Sequence, residues 1–269
     1  MKKAFLLTIS SIVIFSACTK NAVTGRSQLH LLNEGQLQQM ALQEYQTFLS
    51  QNKVVSNASS KDAEMVKRVG TRIANAITNY YNSQGKGDVL NGYNWEFNLV
   101  DDKQVNAWCM PGGKVVVYTG LLPVTQNEAA LAVVMGHEIT HAVAQHGNER
   151  MSQTLLAQGI GLAGNVLTSN NPQVNNIFNN TYGVGTQVGV LLPNSRKQEL
   201  EADHYGLIFA ALSGYNPQEA IPFWERMAQA GSGDKPPEFL STHPSDETRI
   251  QRLKEFMPEA LKYYKPIGK

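Results

Sequence analysis

Apolar residues recur at helical spacing in two N-terminal stretches. Asn33 precedes a stripe of Leu37, Met40, Ala41, Tyr45, Phe48 and Leu49, and a Ser/Asn-rich break over residues 56–60 separates it from Met65, Val66, Val69, Ile73, Ala76, Ile77 and Tyr80. Both stripes predict helices with one buried face. A turn-rich link over residues 85–92 leads into period-two alternation, with Trp95, Phe97 and Leu99 set between polar neighbours. Pro111-Gly112-Gly113 then divides residues 106–110 from the β-branched run Lys114-Val115-Val116-Val117-Tyr118-Thr119, a turn followed by a strand. Thr125 with Glu128 three residues on is a capping-box start for an apolar helix running to about Gly147. Residues 151–194 begin apolar with interspersed glycines and end Asn- and Gly-rich without periodicity, which predicts a flap or irregular insert. Ser195 to Gln198 caps a helix reaching Leu212, and Asn216-Pro217 starts another with Pro222 expected as a kink. A last helix is expected from Ser245 to Met257, so the domain spans 33–257, with a tail at 258–269.

The N-terminus changes the picture. Lys2-Lys3 precedes an apolar stretch from Ala4 to Ala17 that is too short to cross a bilayer comfortably but suits a secretory leader. It ends in Phe15-Ser16-Ala17-Cys18, which resembles a bacterial lipoprotein box. The expectation is a signal peptide over 1–17, acylation of Cys18, and a lipid-anchored tether over 18–32. No Asp follows the cysteine, so the expected location is the bacterial cell envelope, on the outer membrane and facing the periplasm. With Cys18 consumed, Cys109 has no disulfide partner and reads as a small buried hydrophobe. Lys and Arg total 23 against 22 Asp and Glu, a net charge of +1 without a basic run, which argues against a nucleic-acid partner.

The candidate chemistry sits in the helix after Thr125. His137 and His141 are four residues apart, about 40° round a helix axis, so both imidazoles leave one face and can grip one Zn(II) ion. Glu138 can reach a water on that metal without being a ligand, the HExxH arrangement in which the Glu is a general base. A catalytic zinc needs a third protein ligand. His146 lies nine residues past His137, about 180° round a continuous helix, and is set aside; His30 and His204 match no site pattern, leaving His243. Carboxylates answer better: Glu199 and Asp203 share a helix face four residues apart, whereas Glu201 points away from both. A ligand and an orienting partner fit that pair. The strand Lys114, Val115, Val116, Val117, Tyr118 is either a structural hairpin arm or, at a sheet edge beside the metal, a surface for an extended peptide.

Taken in order, these motifs resemble the HtpX-like and CAAX-prenyl-protease-like zinc metallopeptidases, gluzincins with Glu as third ligand, and among them the BepA/LoiP-type periplasmic members. The likeness spans residues 21–253 and rests on Asn21-Ala22-Val23-Thr24-Gly25-Arg26, Asn106-Ala107 with Pro111-Gly112-Gly113, His137-Glu138-x-x-His141, Glu199-x-x-x-Asp203 and Ser241-Thr242-His243-Pro244. It implies an α+β fold, a mainly helical zincin (minigluzincin) domain with a small mixed sheet beside the HExxH helix. It implies one Zn(II) per chain held by His137, His141 and Glu199, with Glu138 as base and Asp203 orienting a metal-bound His. His243 matches a loop histidine that either fills the fourth zinc position or donates to the oxyanion. Cys109 departs from the small residue more usual there. The implied substrates are unfolded or misassembled envelope proteins. A chaperone-like outer-membrane assembly factor with little proteolysis is the competing expectation.

Overall fold

Short polar side chains set the helix starts. Asn33, Ser60 and Asn127 each accept a hydrogen bond from the amide three residues on, those of Gln36, Ala63 and Ala130. They open α1 (Glu34–Gln51), α2 (Lys61–Ser83) and α4 (Glu128–Val143), with a one-turn α3 (Leu122–Thr125) ahead of the last. The expected capping box at Thr125 is therefore displaced. Thr125 closes α3, Gln126 takes a left-handed conformation at φ 66°, and Asn127 becomes the cap. The computed structural model describes residues 18–159, 168, 170–182, 196–231, 237, 239–240, 243 and 248–267. The leader expected over 1–17 lies outside the described residues.

Two strands, β1 (Cys18–Lys20) and β2 (Ser27–Leu29), pair antiparallel. Cys18, expected to carry an acyl chain, pairs with Leu29 through its backbone. The segment 18–32, expected as a lipid-anchored tether, packs on the rest of the domain. Asn21 and Gln28 both donate side-chain hydrogen bonds to the carbonyl oxygen of Ala144, at 2.9 and 3.0 Å, and so dock the hairpin on the end of α4. The sequence cue was hidden because polar residues made the contacts.

A three-stranded mixed sheet forms from β3 (Glu96–Val100), β4 (Ala107–Met110) and β5 (Lys114–Tyr118), in the order β3-β5-β4. Strand β5 runs parallel to β3 and antiparallel to β4. Its side chains alternate between two cores, as strand geometry dictates. Val115 and Val117 join Phe97, Leu99, Ala107 and Cys109 against α2 and α4. Val116 and Tyr118 join Val100 and Met110 against α1 on the other face. All five residues of β5 are buried because neighbours flank both its edges and its faces.

The chain continues through α5 (His146–Ala157), α6 (Pro172–Tyr182), α7 (Arg196–Leu212), α8 (Ala220–Gly231) and α9 (Arg249–Ala260). Part of the expected irregular insert is helical, since α6 buries Val174, Ile177 and Phe178 against Met151 and Leu155 of α5. Asn171 accepts from the amides of Gln173 and Val174 ahead of Pro172, the same Asn-Pro start that marked residues 216–217. Pro222 lies in the first turn of α8, where a missing amide hydrogen breaks no bond, so no kink is required. Residues 160–167, 183–195 and 244–247 lie outside the described residues.

One close crossing positions the site. A Cβ on Gly136 of α4 would stand 2.7 Å from the oxygen of Gly206 in α7, and a Cβ on Gly206 would stand 2.8 Å from the amide nitrogen of His137. Backbone cannot yield as a side chain tip does, so only glycine lets these helices meet. A Gly206→Val protein is expected to lose about 3 kcal/mol through overpacking. Urea denaturation would read this, and an unchanged midpoint would show that the crossing is loose.

Candidate metal centre

The crossing of α4 and α7 brings His137 and His141 face to face with Glu199. Nε2 of His137 lies 3.4 Å from Glu199 Oε2, and Nε2 of His141 lies 3.3 Å from Oε1. The two Nε2 atoms are 3.1 Å apart. Nδ1 of His243 completes the group at 3.1 Å from both His137 Nε2 and Glu199 Oε1. All four residues are buried, and their donor atoms lie within 4.8 Å of one another. Four donors bound tetrahedrally at roughly 2.0–2.1 Å sit about 3.3 Å apart, close to the 3.1–3.4 Å separations of the pairs given above.

Hydrogen bonding supports the same conclusion. Nδ1 of His137 meets Asp203 Oδ1 at 2.9 Å, which fixes the proton there and turns a lone pair at Nε2 toward the cluster. Several nitrogen lone pairs and a carboxylate converging on one point repel unless a proton or a cation lies between them. Without a metal, a proton on His137 takes the cation's place. Burial lowers the affinity of His137 for a proton, but the carboxylates of Asp203 and Glu199 outweigh it and raise its pKa to about 9. At His141 burial wins, and its pKa falls well below the usual imidazole value. Burial opposes charge on Glu199 too, yet His243, His137 and His141 hold its carboxyl well below the ordinary range. Glu199 thus stays ionised and offers an anionic donor to a cation.

Glu138 lies just outside this group. Its Oε1 is buried with no hydrogen-bond partner among the described residues and stands 3.4 Å from His243 Nε2. Burial raises the pKa of its carboxyl above the usual range, which makes the carboxylate a stronger base than an exposed glutamate. Asp203 is held by Arg249, whose Nη2 donates to Oδ1 at 2.7 Å while its guanidinium stacks 3.4 Å over the Trp224 ring. Arg249 also donates to the carbonyl oxygen of His243 at 3.4 Å. No spacing rule pointed to Arg249, because it comes from a different helix than its partners.

Two sequence expectations are corrected here. His146 does not point away: its Nδ1 lies 2.9 Å from Nδ1 of His141. The 3.6-residue count fails because α4 ends at Val143 and Gln145 turns left-handed at φ 54°, swinging His146 back as α5 begins. The strand Lys114–Tyr118 is not a sheet edge, being central with Lys114 paired to Glu96 at 2.7 Å. The edge beside α4 is β4. Tyr118 donates to the oxygen of Asn106, so by antiparallel alternation Trp108 bonds to β5 while Ala107 and Cys109 turn their backbone groups outward. Cys109 itself is buried with its thiol pKa pushed well up by burial, an inert hydrophobe as expected.

The comparisons with known proteins follow the same residues. The profile of Peptidase family M48 matches residues 60–257. The mitochondrial metalloendopeptidase OMA1 of Schizosaccharomyces pombe is 38% identical over 167 residues, covering 62% of this chain and 48% of its own. The mitochondrial metalloendopeptidase OMA1 of Bos taurus is 31% identical over 255 residues, 92% of this chain and 47% of its own. The beta-barrel assembly-enhancing protease of Escherichia coli is 31% identical over 183 residues, 65% of this chain and 37% of its own. The chain thus spans about half the length, or less, of these curated relatives. The expected leaning toward BepA/LoiP-type members gives way to OMA1 proteases, which match at higher identity or over more of the chain. The same finding overturns the expected location on a bacterial outer membrane, since those relatives are mitochondrial. Among the described residues no helix is long and apolar enough to cross a membrane. The HExxH pair, the Glu199 helix and the profile spanning both place this chain in Peptidase family M48.

Proposed function

We propose that the chain is a zinc-dependent endopeptidase that hydrolyses peptide bonds in unfolded or misassembled proteins. The observation that carries this reading is the buried group of His137, His141, Glu199 and His243, whose donor spacing fits one zinc ion. His137, His141 and Glu199 would hold the ion, and Asp203 keeps His137 in the right tautomer. When bound, zinc acts as a Lewis acid that polarises a carbonyl and acidifies water. Glu138 takes the proton from the attacking water and delivers it to the leaving amine, and its orphaned Oε1 is placed to do so.

Substrate reaches the site in extended form along β4, pairing with the outward backbone groups of Cys109 and the carbonyl oxygen of Ala107, whose amide is held by Asn106 Oδ1 at 2.9 Å. Recognition through main-chain bonds reads conformation rather than sequence, which selects unfolded segments. His243, whose Nδ1 lies 3.1 Å from His137 Nε2 and Glu199 Oε1, would offer the ion a fourth donor and so exclude water. A His243→Ala protein is expected to keep zinc and cleave an unstructured peptide several-fold faster. Steady-state kinetics would show it, and a hundredfold fall would instead assign His243 to the oxyanion.

That closed arrangement also favours a second reading, a chaperone-like assembly factor that binds unfolded clients and rarely cuts them. Casein digestion separates the two. A peptidase cleaves casein, loses that ability to a chelator and regains it with zinc, whereas a holding factor binds casein without cleaving it under any metal condition.

A further inference from the structure

A second chain of buried and half-buried polar groups leads away from His141. Its Nδ1 lies 2.9 Å from Nδ1 of His146, and Nε2 of His146 lies 3.0 Å from Oε2 of Glu201. Glu201 is gripped by Arg26, whose Nε donates to Oε1 at 2.6 Å and Nη2 to Oε2 at 3.0 Å. The other face of the same guanidinium engages Glu149 through Nη1 and Nη2, and Gln198 donates to Glu149 at 2.7 Å. His146 is fully buried, and the hairpin carrying Arg26 is tied to the end of α4 by Asn21 and Gln28.

We propose that His146 is a positioning residue for the metal ligand His141, and that Arg26, acting through Glu201, makes the docked N-terminal hairpin a working part of the metal centre. The inference rests on the zinc reading above. A metal bond at Nε2 of His141 leaves its proton on Nδ1, which donates to the lone pair on Nδ1 of His146. The remaining proton of His146, on Nε2, then donates to Glu201. Every donor along the line meets an acceptor, and only one tautomer of each ring allows it. Arg26 supplies the positive charge that keeps Glu201 ionised and in place. His137 is oriented by a carboxylate directly, whereas His141 is oriented through an intervening imidazole anchored, by way of Glu201, on Arg26 of the docked hairpin. Partners of this kind set ring orientation and ligand basicity, and their loss typically costs about 10–100-fold in metal affinity.

The test is zinc affinity by chelator competition on the purified full chain, with the unfolding midpoint of each metal-free variant measured alongside. His146→Leu is expected to bind zinc about 10–100-fold more weakly than wild type. His146→Asn is expected to recover most of that loss, because its amide oxygen can stand where Nδ1 stood and accept the same proton; a buried packing role would not distinguish Asn in this direction. Arg26→Gln, which cuts the line at its outer end, is expected to weaken zinc binding about tenfold and to shift the visible spectrum of the cobalt-substituted protein. A folded His146→Leu protein with wild-type affinity would overturn the proposal. Should that variant fail to fold, unchanged affinity and cobalt spectrum in Arg26→Gln would overturn it. A wild-type chain that binds no zinc would remove the zinc reading itself, a distinct outcome from equal affinities.

Discussion

A Glu138→Gln protein is expected to bind zinc stoichiometrically and to cleave casein at least a thousandfold more slowly than wild type. The carboxyl of Glu138 touches none of the four clustered donors as a ligand would; its nearest contact in the site is His243 Nε2 at 3.4 Å. Replacing it with an isosteric amide leaves the coordinating set intact and removes the carboxylate assigned to accept a proton from water. General acid–base groups contribute about 10²–10⁴-fold, and here one residue serves both the attack and the departure of the amine. Because the carboxyl is buried and its pKa raised, it also carries a proton more readily than an exposed glutamate, which suits the second step. Metal content with paired rate measurements checks this. Wild-type turnover would refute the assignment, and loss of zinc would make Glu138 a structural residue instead.

Removing zinc is expected to lower the unfolding midpoint by roughly 8–16 °C. A ligand that binds only the folded state, present at a thousandfold excess over its dissociation constant, stabilises by about 4.1 kcal/mol. For a domain of this size each kcal/mol corresponds to about 2–4 °C. The physical source is the crowding of His137, His141, His243 and Glu199, which a proton satisfies only in part. Glu199→Gln removes the anionic donor and is expected to abolish most of the zinc-dependent shift while leaving the metal-free midpoint within a few degrees of wild type. Calorimetry with and without chelator reads both numbers. A midpoint indifferent to zinc in the wild type would mean that the cluster is held by hydrogen bonds alone.

Local rules made much of this legible. His137, His141 and the Glu199/Asp203 pair lie on regular helices, where a spacing of four residues fixes a common face, and the structure brings those faces together. Asn33 acts as the cap that its position before an apolar stripe predicted. The misses share a cause, which is that they depend on where a regular element stops or on what packs beside it. Two left-handed residues, Gln126 and Gln145, interrupt the helix that an unbroken apolar run suggested, and the second returns His146 to the site. Glutamine carries no strong preference for that conformation, so the break left no local signal. The burial of β5 follows from strand order, a non-local property, and Lys114 disguised it by burying its ammonium against Glu96 and the oxygen of Asn94. Arg26 and Arg249 reach the site from opposite ends of the chain, and no periodicity links them to their partners. The docking of residues 18–32 also left no signal, because a polar, Gly-containing segment has the composition of a linker. Here those same polar groups satisfy the buried end of α4.

Zinc-edge X-ray absorption on the purified, zinc-loaded and dialysed chain tests the central claim most directly. The account predicts one zinc per chain, with nitrogen and oxygen donors at roughly 2.0–2.1 Å and no sulfur in its shell. Retention of no zinc after dialysis, or a sulfur donor at about 2.3 Å, would contradict it.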